Sequence, residues 1–391
     1  MTASRVRAKG LPEPSQDALA HSRSLVDFIA QRIANSGGWI PFAEYMSLAL
    51  YAPGLGYYSA GARKFGSGGD FITAPELTPI FAQCLAAQAM QALAATGGGE
   101  IMELGAGSGR LAVDMLLELQ RLDSLPERYC ILDLSPDLRQ RQRALLQVEA
   151  PDLLGRVEWL DALPERITGF IVGNEVLDAM PVHLVHWQAG VASERGVAWS
   201  STGFEFQDRP LPAGALLDAA HGLPITGPDY LSEINLAAPA LVRSLADRLE
   251  SGLIVFLDYG FPQAEYYHSD RSAGTLMCHY RHRAFDEPFF LPGLTDITAH
   301  VDFTAVADAA LAAGLAVLGY ASQANFLINC GVLACLERFE PGSLHYLKQT
   351  AAVQKLIQPS EMGELFKVIA LGRDIDGPPM GFTSGDRRHT L

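Results

Sequence analysis

One stretch limits what this chain can fold into: Glu100-Ile-Met-Glu-Leu-Gly-Ala-Gly-Ser-Gly-Arg110. Ile101, Met102 and Leu104 predict a short apolar strand, and Gly105, Gly107 and Gly109 predict a turn. Behind it Leu111, Val113, Leu116, Leu117 and Leu119 recur at helical spacing. Glycine takes φ > 0 and carries no Cβ, so a ligand can come close to the backbone of such a turn. The helix that follows points its free N–H groups at whatever lies over the turn.

The spacing decides between ligand classes. A dinucleotide turn needs G-x-G-x-x-G and an acid about 20 residues on. Here Arg110 falls where the third glycine belongs, and the next strand, Tyr129-Cys-Ile-Leu-Asp133, ends in an acid 28 residues after Gly105. A phosphate-binding P-loop is excluded because no Gly-Lys-Ser/Thr follows the glycines. The pattern E-x-G-x-G-x-G fits the cofactor turn of S-adenosylmethionine (SAM) methyltransferases. On that reading Glu103 lies near the methionine end of the cofactor, the helix N-terminus faces its carboxylate, and Asp133 accepts from both ribose hydroxyls.

Strands and helices alternate from here. Ser135 and Pro136 open a helix through about Val148, Arg156 to Leu160 reads as a strand followed by Asp161, and Gly169 to Glu175 as another. Such alternation predicts a mostly parallel sheet with right-handed crossovers, whose ligands lie off the carboxyl ends of the strands. Glu103, Asp133, Asp161 and Glu175 all fall at such ends. Leu253 to Asp258, Leu315 to Gly319 and Phe366 to Leu371 supply the remaining strands, with Ser232 to Leu249 read as helix.

Two stretches interrupt the pattern. Residues of about 182–230 contain short alternating runs that predict antiparallel strands, and 260–300 is a long excursion. Upstream, Gln16 to Asn35 and Pro41 to Leu50 read as helices. The glycine-rich segment Gly66 to Glu76 carries Asp70, Thr73 and Glu76 ahead of a helix capped by Thr78 and Pro79. That segment is either a helix-capping loop or a lid over the cofactor. The expected domains are a disordered tail (1–15), a helical cap and lid (16–96), a cofactor-binding core (97–373) with the two insertions, and a loose tail (374–391).

Composition narrows the partners. The 391 residues are 49% hydrophobic and carry a formal charge of −15, which argues against nucleic acid, whose affinity comes mainly from Lys and Arg on phosphates. The five cysteines form no C-x-x-C pair, so a reducing compartment is expected. No apolar run reaches the ~18 residues of a membrane span. The first ten residues are basic but lack the apolar core of a secretory signal. The expected setting is the bacterial cytoplasm, or the mitochondrial matrix for a eukaryotic chain. His279, His282, His300 and Asp302 invite a metal reading, but no zinc-type spacing is present, and roles as hydrogen-bonding partners in an ordered loop are expected instead.

Several motifs together resemble the MidA family of class I SAM methyltransferases: Gly69-Asp-Phe-Ile-Thr-Ala-Pro-Glu76, Glu103-Leu-Gly-Ala-Gly-Ser-Gly109, Leu134-Ser-Pro136, Asn174-Glu-Val-Leu-Asp-Ala-Met-Pro-Val-His183, Asp258-Tyr-Gly-Phe261, Tyr280-Arg-His-Arg283 and Asp296-Ile-Thr-Ala-His-Val-Asp-Phe303. The resemblance covers about residues 20–371. One departure is Asp133, where that family commonly has glutamate; the shorter carboxylate can still reach a ribose. The resemblance implies an α/β Rossmann-like fold with a seven-stranded, mostly parallel sheet and an antiparallel last strand. It also implies a SAM site including Glu103, Gly105, Ala106, Gly107, Gly109, Asp133, Leu134, Asp161 and Asn174, with Asp70, Thr73 and Glu76 contributed by the lid. The mitochondrial member is an assembly factor for respiratory complex I and dimethylates an arginine on a core subunit.

For an arginine acceptor, Glu175 and Asp178 are the catalytic candidates. They lie three positions apart, and a helix after the fourth strand would turn both to one side. The alternative is that Asp178 caps that helix and Glu175 only holds the cofactor amine. Three functions are open at this point: a protein arginine methyltransferase, a small-molecule methyltransferase, and a SAM-binding assembly factor whose turnover is secondary.

Overall fold

The computed structural model describes residues 11–59, 73–225 and 227–391. The chain divides into two compact units, one made of residues up to 71 with 178–238 and 263–302, the other of 72–177, 239–262 and 303–391. This differs from the expected division. The helix Pro79–Thr96 belongs with the parallel sheet, whereas the N-terminal helices share a unit with the two insertions.

The larger unit carries the cofactor motifs. Seven strands of its central sheet are β1 (Glu100–Leu104), β2 (Tyr129–Leu132), β3 (Val157–Leu160), β4 (Ile167–Asn174), β5 (Leu249–Phe261), β6 (Ala316–Ser322) and β7 (Phe366–Arg373). Their spatial order is β3-β2-β1-β4-β5-β7-β6. Neighbours from β3 through β5 pair in parallel, and β7 is antiparallel to both β5 and β6. The sheet is mostly parallel, as expected, with the last strand of the chain reversed.

Helices α1 (Pro79–Thr96), α2 (Arg110–Arg121) and α3 (Pro136–Glu149) flank this sheet in sequence. Thr78 caps α1, its Oγ1 accepting from the Ile80 N–H at 3.1 Å, and Ser135 caps α3 in the same manner. Leu111, Val113, Leu116 and Leu119 of α2 are buried in one core with Ile101, Ile131, Phe170, Val172 and Val255 from the strands. The parallel strands read as continuous apolar runs because both faces of the sheet are covered.

The C-terminal residues depart from expectation. Instead of a loose tail, Phe382 is only 3% exposed and packs on Phe326 with ring centroids 5.5 Å apart. The Arg387 N–H donates to the Tyr320 carbonyl, and Asp386 accepts from the Tyr320 N–H. This strap satisfies backbone groups of the outermost strand β6, which would otherwise be an open sheet edge. Gly and Pro in 374–391 shape a path for the strap; the buried phenylalanine anchors it.

The other unit holds an antiparallel sheet in which Trp39–Pro41, Val191–Ser200, His183–Gln188 and Asp229–Ile234 follow one another, with Gly203–Pro210 also on Val191–Ser200. The helices Gln16–Asn35 and Phe42–Tyr51 bury Leu25, Ile29, Ile33, Tyr45 and Met46 in a core with Val182, Val197, Cys278 and Ile297. Residues 232–234, expected to be helical, close the strand Asp229–Ile234. The helix begins only at Ala237. The strand is held there by the buried Glu233 carboxylate, which accepts from the Thr275 and Leu276 N–H groups and from the Thr275 and Tyr266 hydroxyls.

Candidate active site

At the carboxyl end of β1 the backbone turns through Gly105, Gly107 and Gly109, with φ of +63°, +53° and +88°. Left-handed values at all three positions explain the glycines. Gly109 lies against the α3 backbone as well, since a Cβ there would meet Gln142 at 3.1 Å. The Gly105 N–H stays bonded to the Leu132 carbonyl, so the turn leaves the sheet in register with β2. Ala106 within it is buried.

Glu103 sits at the end of β1 and is 2% exposed. Its Oε2 accepts from the Tyr129 hydroxyl at 2.7 Å. Burial pushes its pKa up to about 7; the Tyr129 hydrogen bond acts against that rise, and the Asp133 charge adds to it. A buried acid of this kind favours a cationic partner, which would stabilise its charged form.

Asp133 follows β2 and is 6% exposed. Its Oδ1 accepts from the Ser135 N–H at 2.9 Å and its Oδ2 from Gln142 Nε2 at 2.8 Å. Burial raises its pKa, opposed by these two donors, by the Arg139 charge and by the Gly107 N–H. Gln142 is fully buried, also donates to the Gly107 carbonyl at 3.0 Å, and accepts from Trp159 Nε1 at 2.9 Å. Leu134, next along the chain, is 76% exposed despite being apolar.

Arg139 ties the ends of β2 and β3 together. It donates to the Asp133 carbonyl at 2.7 Å, to the Leu160 carbonyl at 2.6 Å and to Asp161 Oδ1 at 2.6 Å. Asp161 is thus placed at the end of β3, as expected, but its exposed carboxylate is engaged by an arginine.

At the end of β4, Asn174 Nδ2 donates to Glu175 Oε1 at 3.0 Å. The Asn174 Oδ1 is buried and has no hydrogen-bond partner among the described residues. A buried acceptor without a donor costs about 1–3 kcal/mol, so the position is suited to a ligand that brings one. Glu175 has φ of +53°, a left-handed value that non-glycine residues rarely take. β5 supports this backbone: the Glu175 N–H donates to the Leu257 carbonyl, and the fully buried Asp258 accepts from the Leu177 N–H at 2.9 Å.

Not every expected residue joins this group. The chain after Asn174 is irregular rather than helical, so the helix expected to align Glu175 with Asp178 is absent. The left-handed turn at Glu175 ends the regular backbone there. Asp178 begins the other unit, where it is 5% exposed and its carbonyl accepts from the Ala299 N–H at 3.0 Å. Asp70 lies outside the described residues. Thr73 caps the four-residue helix Ala74–Leu77 through its extended backbone, with no side-chain capping bond. Glu76 in that helix receives a hydrogen bond from Ser108 of the glycine turn. Arg281 and His282, both at positive φ, form the two-residue turn between the strands Met277–Tyr280 and Arg283–Phe285. Among the described residues no group of three or more His, Cys, Asp or Glu side chains is placed to hold a metal ion.

The residues present fit SAM. A buried acid of raised pKa and an unpartnered buried acceptor match an ammonium group. A carboxylate with free lone pairs matches a ribose, and an exposed leucine beside it matches an apolar ring face. Sequence reading missed Gln142, Trp159 and Arg139. No local motif marks them, because their partners come from strand ends and a turn up to 35 residues away.

A β3-β2-β1-β4-β5-β7-β6 sheet with a glycine turn after β1 and acids after β1 and β2 defines the class I SAM-dependent methyltransferases. Residues 84–321 match the S-adenosyl-L-methionine-dependent methyltransferase family model Methyltransf_28, and the chain belongs to that family. It is similar to the mitochondrial protein arginine methyltransferase NDUFAF7 homolog of Caenorhabditis elegans, at 27% identity over 92% of this chain and 89% of that one. The human protein arginine methyltransferase NDUFAF7 is 27% identical over 86% of this chain and 80% of its own length. A Burkholderia thailandensis crystal structure with bound S-adenosyl-homocysteine is 52% identical, covers 98% of this chain and 100% of that one, and superposes with a TM-score of 0.94. The chain is a SAM-dependent methyltransferase.

Proposed function

We propose that the protein transfers methyl groups from SAM to an arginine of a protein substrate, a core subunit of a respiratory complex or its bacterial counterpart. The observation that carries this reading is the similarity to named protein arginine methyltransferases, which extends over about nine-tenths of this chain rather than over the cofactor core alone. Action in the bacterial cytoplasm is part of the proposal; the named relatives are mitochondrial. Among the described residues no helix is long and apolar enough to cross a membrane.

When bound, SAM supplies an activated methyl group on a sulfonium. Glu103 and Asn174 would hold its ammonium, the N-terminus of α2 and the turn Gly105-Ala-Gly107 its carboxylate, Asp133 its ribose and Leu134 its adenine, with Asp161 at the rim. Thr73 and Glu76 would complete the site from the preceding segment. Displacement of this kind needs placement above all, and correct placement can lower a barrier by roughly 7–11 kcal/mol. Guanidinium is delocalised and stays protonated, with a pKa above ~12. Glu175, at the end of β4, would engage one of its nitrogens and help localise the charge.

The test is transfer of labelled methyl from SAM in a cell lysate separated into protein and small-molecule fractions. Label in a protein band supports the reading. Label confined to small molecules would assign the enzyme a different acceptor class.

A further inference from the structure

We propose that Gln142 is a positioning residue that sets the hydrogen-bonding face of Asp133 and through it the grip on the cofactor ribose; this rests on Asp133 being the ribose acceptor. An amide side chain in a buried site can usually be turned either way, but here its orientation is forced. The indole of Trp159 can only donate, so the atom it meets at 2.9 Å must be the Gln142 oxygen. Both amide hydrogens then point at acceptors, the Gly107 carbonyl at 3.0 Å and Asp133 Oδ2 at 2.8 Å. Gln142 is fully buried and uses its two donors and its oxygen at once.

The consequence falls on Asp133. The Ser135 N–H holds Oδ1 and Gln142 holds Oδ2. Each carboxylate oxygen has two lone pairs; the Gly107 N–H also acts on this carboxylate, so the three donors leave room for a further hydroxyl. A carboxylate held rigidly in this way presents a fixed acceptor to a ribose hydroxyl. Gln142 also binds the glycine turn, so the carboxylate and the turn keep one spacing. Arg143 lies over the Trp159 ring at 4.4 Å and helps fix the indole that starts the chain of bonds.

The role is separable from simple packing. The probes are S-adenosyl-homocysteine and its 2′-deoxy form, with affinity measured by calorimetry. The wild-type protein should bind the deoxy form about 10- to 100-fold more weakly, the scale of one hydrogen bond to a charged group. Gln142→Met keeps the shape and removes the donors. It should weaken S-adenosyl-homocysteine about tenfold or more and leave the deoxy form nearly unchanged, bringing the ratio to within about threefold. Trp159→Phe keeps Gln142 but frees its amide to turn, and should reduce the ratio in the same direction. Equal weakening of both ligands, or a wild-type ratio in both variants, would overturn the proposal. Asp133→Asn separates the underlying reading: if it leaves the ratio unchanged, Asp133 is not the ribose acceptor, whereas loss of the ratio there with retention in Gln142→Met and Trp159→Phe condemns the role of Gln142 alone.

Discussion

The Tyr129 hydroxyl donates to Glu103 Oε2 at 2.7 Å, from the strand next to the one that carries the acid. This bond opposes the effect of burial on Glu103, whose pKa nevertheless rises to about 7. The folded protein therefore holds a proton on Glu103 that the unfolded chain releases near pH 4.5. Stability from this source is complete below pH 4.5 and is lost as pH rises through 7. The unliganded protein should lose about 2–3 kcal/mol between pH 5 and pH 8 from this group. Glu103→Gln should flatten that slope in denaturant titrations, and an unchanged slope would remove Glu103 as its source.

The same ionisation acts on the cofactor with opposite sign. An ammonium is held by the charged form, so S-adenosyl-homocysteine should bind about tenfold more weakly at pH 6 than at pH 8. Tyr129→Phe removes a donor that favours the charged form and should move this transition to higher pH. A pH-independent affinity would separate Glu103 from the ammonium.

Ligand that binds only the folded state raises the melting temperature. SAM and S-adenosyl-homocysteine should do so and NAD should not. Gly107→Val places a branched side chain at φ of +53° in the turn and should abolish the shift. Normal stabilisation of that variant by SAM would leave the turn a structural feature only.

The C-terminal strap gives a stability prediction remote from the site. Phe382→Ala should cost about 3–5 kcal/mol, as for other buried phenylalanines, because its ring packs on Phe326. Denaturant unfolding measures it, and a change below about 0.5 kcal/mol would mean the strap is not docked in solution.

These elements also mark where the sequence was informative. The strand–turn–helix, the acids at strand ends and the caps at Thr78 and Ser135 were legible because each depends on residues within a few positions. Gln142 was not, since its meaning comes from Trp159, Gly107 and Asp133, which only the folded sheet gathers. The pairing of Trp39–Pro41 with Val191–Ser200 spans more than 150 residues and leaves no local signal. Ser232 to Ile234 are too few residues to distinguish a helix from a strand by periodicity, and the bonds to Glu233 decide it. Glycines and prolines near the C-terminus read as a loose tail because periodicity cannot register a single anchoring ring at Phe382.

Glu175→Gln keeps shape and removes a charge at the end of β4. For a guanidinium substrate it should lower kcat/KM roughly ten- to a hundredfold, the scale of one charge-assisted hydrogen bond, with a smaller loss of S-adenosyl-homocysteine affinity. Unchanged turnover would dismiss Glu175 as the guanidinium's partner.

The most direct measurement is the identity of the methylated residue. Protein labelled by this enzyme with methyl-tritiated SAM is hydrolysed to amino acids and the label is separated. The label is expected to elute as methylated arginine, and Glu175→Gln to diminish it while S-adenosyl-homocysteine still binds. Label on lysine, on a carboxylate or only on small molecules, from an enzyme that binds the cofactor normally, would contradict it.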